Sequence, residues 1–109
     1  METLRFFVRG QKLKKDPKSP FGTLVAGTKN YYEAEFVLDS MWIGYSCLAK
    51  YRTEDGHVEY GALIKNKTII PANILEYSEF YLSIIGKKGD SQLVTNESKI
   101  FQTGGKRNG

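Results

Sequence analysis

Few side chains in this sequence are equipped for chemistry, and their spacing argues against most of it. There is one histidine, His57, and one cysteine, Cys47. A metal site needs several donors converging on one ion, and neither residue has a second His or Cys nearby. His57 follows directly on Asp55-Gly56 and is expected to be an exposed turn residue. A thiol nucleophile needs a base beside it, whereas Cys47 lies between Ser46 and Leu48 in an apolar stretch, as a small buried hydrophobe would. A lone cysteine also excludes an intrachain disulfide. Glu33 and Glu35 have the spacing that places two carboxylates on one face of a strand, where paired acids can do acid–base work. They alternate with Tyr32, Ala34 and Phe36, so the pair is expected on the solvent side of an amphipathic strand. Gly86-Lys87-Lys88-Gly89 has the composition of a phosphate-cradling loop. It lacks both the Walker spacing and a following helix to aim amides at phosphate, and is expected to be a hairpin turn. No serine sits in a nucleophile elbow. The inventory predicts no catalytic residues, no metal or cofactor site and no enzyme.

Charged and aromatic residues remain as candidates for binding. Lys12, Lys14, Lys15 and Lys18 form the densest basic stretch, close to Arg5 and Arg9. Such a patch attracts acidic surfaces or nucleic acid, but lysines on an edge strand also discourage unwanted pairing, and that is the reading adopted. The net charge of +4 is a bias towards acidic partners too weak to predict nucleic-acid binding. Aromatic residues make up 13% of the chain, enough to fill a core and leave several tyrosines outside. Trp42 precedes an apolar strand and is expected in the core, with a sugar-stacking platform as its alternative. Tyr31, Tyr45, Tyr77 and Tyr81 are the candidate contact aromatics. Asn66-Lys67-Thr68 and Asn96-Glu97-Ser98 have sequon spacing, to which no meaning attaches without a secretory signal.

The elements that must position these residues are strands. Leu4, Phe6 and Val8 alternate with Arg5, Phe7 and Arg9 in a first strand. Gly10 to Pro20, with two prolines and four lysines, is expected to be a loop or ragged edge, and Thr23 to Gly27 an extended piece. Tyr32, Ala34, Phe36 and Leu38 form the clearest core-facing set. Cys47, Ala49 and Tyr51 share one face of a further strand, which turns at Asp55-Gly56 into a return strand from His57 to Ile64. Thr68 to Ile70 is a short strand ended by Pro71, and Ala72 to Glu76 has room for one helical turn. Phe80, Leu82 and Ile84 alternate with Tyr81, Ser83 and Ile85, and Gln92 to Thr95 and Lys99 to Gln102 supply the closing strands. Turn signals recur about every ten residues. The 109 residues are therefore expected to form one all-β domain, a two-sheet antiparallel β-sandwich over residues 1–103, with 104–109 as a flexible tail. The start, Met1-Glu2-Thr3-Leu4-Arg5-Phe6-Phe7, has no basic segment leading into a long apolar run. Neither a signal peptide nor a membrane span is predicted, and synthesis is expected to finish in the cytoplasm.

The order of these features carries a resemblance. Gly10-Gln11-Lys12-Leu13 after an opening strand, Leu24 through Phe36, and Trp42-Ile43-Gly44 before Ala49-Lys50-Tyr51 make one half. Ile69-Ile70-Pro71 before Ile74-Leu75, Phe80 through Gly86, and Leu93-Val94-Thr95-Asn96 make the other. Together they resemble the immunoglobulin-like β-sandwich domain of bacteriophage and prophage virion proteins, as at the amino terminus of baseplate and tail-fibre proteins. The resemblance covers all but the glycine-rich end, and rests on packing and turn positions that speak for fold more than function. It implies a virion component made in the bacterial host cytoplasm. Such a component binds other tail, baseplate, fibre or head proteins, often as an oligomer, without catalysis. A long fibre or receptor-binding region usually follows such domains, whereas this sequence ends at Gly109. The resemblance thus implies either a stand-alone adaptor or decoration protein or a piece of a longer chain. A carbohydrate-binding module recognising a cell-surface glycan through exposed aromatics is the alternative.

Overall fold

Alternating apolar and polar side chains put one face of each segment into a common interior, and the segments pair as strands. In the computed structural model, which describes residues 1–105, these are β1 (Glu2–Arg9), β2 (Lys12–Lys15), β3 (Tyr32–Leu38), β4 (Ser46–Arg52), β5 (Val58–Ala62), β6 (Lys67–Ile69), β7 (Glu79–Lys88), β8 (Ser91–Val94) and β9 (Ser98–Phe101). Single 3-10 turns stand at Phe21–Thr23, Ser40–Trp42 and Ile74–Glu76. One sheet has the order β2-β1-β3-β6 and the other β5-β4-β7-β8. β7 is ten residues long, and β8 pairs with its Ile85–Lys88 end while β9 pairs with Glu79–Leu82.

The core lies between the sheets. Leu4, Phe6, Val8, Tyr32, Ala34 and Phe36 of the first face Ala49, Tyr51, Phe80, Leu82, Ile84 and Ile100 of the second, all at most 4% exposed. Phe6 stacks on Phe36 at 5.2 Å and takes Phe21 edge-on at the same separation. Fully burying one such aliphatic or phenyl side chain contributes about 1.5–3 kcal/mol. Trp42 is 2% exposed, so it fills the core and offers no sugar platform.

An all-β molecule of two layered sheets is thus what the alternation predicts and what forms. One pairing departs from the antiparallel expectation: β1 and β3 run parallel, with Phe6 opposite Phe36. The cause is β2 and the loop through Phe21–Thr23, which carry the chain back to the end where β1 began before β3 starts. Parallel neighbours need such a crossover. The four-stranded sheet of a constant-type immunoglobulin domain is wholly antiparallel, so this pairing differs from that finer pattern.

Four local expectations change. Gly86-Lys87-Lys88 is not a turn but the end of β7, paired with β8, and only Gly89-Asp90 turns. Lys12–Lys15 is a regular edge strand, because Leu13 is buried while Lys12 and Lys14 point out, and Gly10 at φ +58° makes the tight turn from β1. Thr23 to Gly27 is not a strand. Only Leu24 in it is buried, and Val25 contributes a single bridge to Thr103. The return strand is shorter than His57–Ile64, and its Val58, Tyr60 and Ala62 face solvent. At the carboxyl end Gly105 packs against Ala26 and the backbone at Glu76 and Ser78. Of the tail expected over 104–109, residues 106–109 lie outside the described residues.

Candidate interaction surface

The outward side chains of the five-stranded sheet fall into rows fixed by strand register. Ala62 of β5 lies opposite Leu48 of β4, Leu48 opposite Ile85 of β7, and Ile85 opposite Val94 of β8. An unbroken apolar row therefore crosses four strands on the solvent side. Leu48 is 40% exposed and Val94 45%, and Ile85 is half-buried between them. Tyr60, 57% exposed, and Val58, 37%, continue the apolar surface along β5. Contiguous exposed apolar surface of this kind marks contact sites. At the row a cleft of about 500 Å³ opens, lined by its Leu48, Ala62 and Ile85 together with Tyr45, Cys47 and Lys87.

A polar row borders the surface on the far side of Lys50 and Ser83. Arg52 of β4 lies opposite Val58 on one side and Tyr81 on the other, and Tyr81 opposite Lys99 of β9. Arg52 reaches over β7 to Glu97 with two bonds of 2.7 and 2.9 Å, and this pairing holds the Glu97 carboxyl below its ordinary range. The bridge crosses the outer face of β7 near Ser83, which is buried although its side chain points outward. The Arg52 guanidinium also covers the Tyr81 ring at 4.3 Å, and the Tyr81 hydroxyl donates to Glu54.

The four candidate tyrosines do not converge. Tyr77 and Tyr81 both bind the β4–β5 turn: the Tyr77 hydroxyl donates to Asp55 at 3.0 Å while Tyr81 takes Glu54. The same turn holds His57, half-buried, stacked on Tyr77 and 2.8 Å from Glu59. Tyr45 lies beyond the opposite end of β4, seven residues away and so about 20 Å along the strand, under Lys88 and edge-on to Trp42. Tyr31, 44% exposed, precedes β3 and packs edge-on to Tyr32. The apolar row itself was not singled out from the sequence. Its signal was present in Ile84-Ile85 and Leu48-Ala49, neighbouring apolar residues that must occupy opposite faces of a strand.

Glu33 and Glu35 lie on the outer face of the other sheet, tied by Arg5, Lys67 and the Thr3 hydroxyl. Arg9, Lys12, Lys14 and Lys15 surround a cleft of about 380 Å³ floored by Phe7. Cys47 is half-buried against the core, and that burial pushes its thiol pKa up, away from the reactive thiolate. Among the described residues no group of three or more His, Cys, Asp or Glu could hold a metal ion, and no helix is long and apolar enough to cross a membrane.

Two layered, mostly antiparallel sheets around a filled core define a two-layer all-β domain. In fold the chain is similar to the N-terminal domain of phage TP901-1 ORF48, with a TM-score of 0.50 and 12% identity, over 94% of this chain and 98% of that one. At that identity the likeness is one of fold. No protein-family model matches the chain, and no curated protein matches it.

Proposed function

We propose that the chain is a non-enzymatic structural domain of a phage virion that docks onto other virion proteins through the outer face of its five-stranded sheet. The observation that carries the reading is the apolar row Ala62-Leu48-Ile85-Val94, crossing four strands on the outer face with no covering element among the described residues. The likeness in fold to a phage domain supports the virion setting. The row supplies the apolar centre of a contact, and Arg52, Tyr81, Lys99 and Lys87 supply its polar rim, the usual anatomy of a protein–protein interface. An adaptor or decoration role at the tail, baseplate, fibre or head follows from that reading. Mass spectrometry of purified particles from the source phage or induced prophage, with antibody labelling in the electron microscope, tests it. The protein is expected in particles at a defined position. Its absence from them removes the virion reading and leaves glycan-array binding as the next measurement.

A further inference from the structure

Among the described residues, strand β5 ends its sheet with one edge unpaired. Leu63 donates to Cys47 and Thr53 to His57, so the odd-numbered residues of β5 direct their backbone groups at β4. The N–H and C=O groups of Val58, Tyr60 and Ala62 therefore point away from the sheet. Among the described residues none of them bonds backbone outside its own sheet. Other edges are blunted. β2 carries Lys12, Lys14 and Lys15 with Pro17 just beyond, β6 begins with Lys67, and the Val94 carbonyl of β8 takes the Gln11 side chain at 2.9 Å. β5, Val58-Glu59-Tyr60-Gly61-Ala62, has no lysine, no proline and no bulge, three of the devices that keep edges from pairing, and its one charge, Glu59, lies on the inward side and is paired with His57 at 2.8 Å.

We infer that β5 pairs antiparallel with β5 of a second copy about a two-fold axis at Tyr60. That register sets Tyr60 opposite itself and Val58 opposite Ala62, so all three outward-facing residues exchange backbone bonds. Glu59 then meets Gly61 of the other copy and not its own carboxylate. The Glu54-Asp55 turn of each copy, exposed and acidic, moves towards the Lys65–Lys67 turn of the other. The pattern is complementary to itself, as an isologous contact requires. It also joins the two outer faces into one continuous surface. Its few residue pairs fall below the roughly 1,000 Å² of a stable interface, so the contact is weak alone and gains from copies held close together. The inference is read from β5 and its flanking turns, and stands or falls separately from the virion reading.

Sedimentation equilibrium of the full chain up to about 1 mM tests it. A concentration-dependent dimer is expected, weakened at least about tenfold by Tyr60→Lys, which places two like charges opposite each other at an exposed position. Tyr60→Cys in a Cys47→Ser background reads the register independently of that variant's folding. Hydrogen-bonded antiparallel partners lie about 5.5 Å apart, within disulfide reach, so oxidation is expected to yield a covalent dimer. A monomer at every concentration, a dimer that tolerates Tyr60→Lys, or failure of the Tyr60→Cys variant to cross-link overturns the inference.

Discussion

Trp42 is held by two contacts that another side chain would not reproduce. Its Nε1–H donates to the Gly10 carbonyl at 2.7 Å, and Gly10 N–H donates to Asp39 at 2.6 Å, so the β1–β2 turn hangs on the turn that carries the indole. Gly86 of β7 lies against the ring, where a Cβ would stand 2.8 Å from it. Gly86→Ala is therefore expected to destabilise the fold by about 1–3 kcal/mol by overpacking, and Trp42→Ala by about 3–5 kcal/mol, both read by urea unfolding. Tyr51 gives a pH signature. Its hydroxyl is buried beside the Thr68 side chain, and burial outweighs that neighbour and pushes the phenol well above its ordinary value of 10. Above pH 10 the unfolded chain loses this proton while the folded one keeps it. The folded state then binds more protons, and stability falls as pH rises, having been fully present below pH 10. Tyr51→Phe is expected to flatten that alkaline limb in unfolding curves taken between about pH 8 and 11.

At the scale of elements, two small devices tie the sheets together at opposite sides. Lys65 and Asn66, at φ +54° and +64°, form a two-residue turn between Ile64 and Lys67, closed by bonds of 2.9 and 3.1 Å, through which the chain passes from β5 to β6. Lysine is costly in that conformation, so Lys65→Gly is expected to raise stability by about 0.5–1 kcal/mol in thermal or urea unfolding, net of glycine's larger unfolded-state entropy. On the other side Asn96, in the link between β8 and β9, accepts from Leu13 N–H at 2.8 Å and donates to Leu13 C=O at 3.2 Å. It acts as one residue of strand pairing supplied by a side chain. Asn96→Ala is expected to cost about 1–2 kcal/mol, and Asn96→Asp, which keeps only the acceptor, less.

These elements also show what the sequence could reveal. β1, β3, β4 and β7 were legible because Leu4-Phe6-Val8, Tyr32-Ala34-Phe36, Ala49-Tyr51 and Phe80-Leu82-Ile84 keep strict period-two alternation. β2 was masked by lysines that hide its one core residue, Leu13. Lys65-Asn66 lies between two segments read as strands, but its left-handed geometry is imposed by the strands it joins. Ile84-Ile85 and Leu48-Ala49 show locally that an apolar side chain faces outward, but the row Ala62-Leu48-Ile85-Val94 exists only once hydrogen-bond register aligns four segments far apart in sequence.

Across the whole molecule the two outer faces have different characters. That of the four-stranded sheet is mainly charged, with Arg5–Glu35 at 2.9 Å and the Arg9, Lys12 and Lys14 cluster beside the exposed but separate Val37 and Ile69, while that of the five-stranded sheet is crossed by the continuous apolar row. Docking through the row should change little between low and high salt, whereas contact through the cationic face should weaken as its charges are screened. The most direct measurement is incorporation of Leu48→Glu/Val94→Glu into particles, quantified by mass spectrometry beside a far-ultraviolet circular dichroism spectrum. Both side chains are exposed, so the fold should persist. The predicted result is a folded variant lost from particles that retain the unaltered protein. A folded variant incorporated to the unaltered level would contradict the assignment of this face as the docking surface.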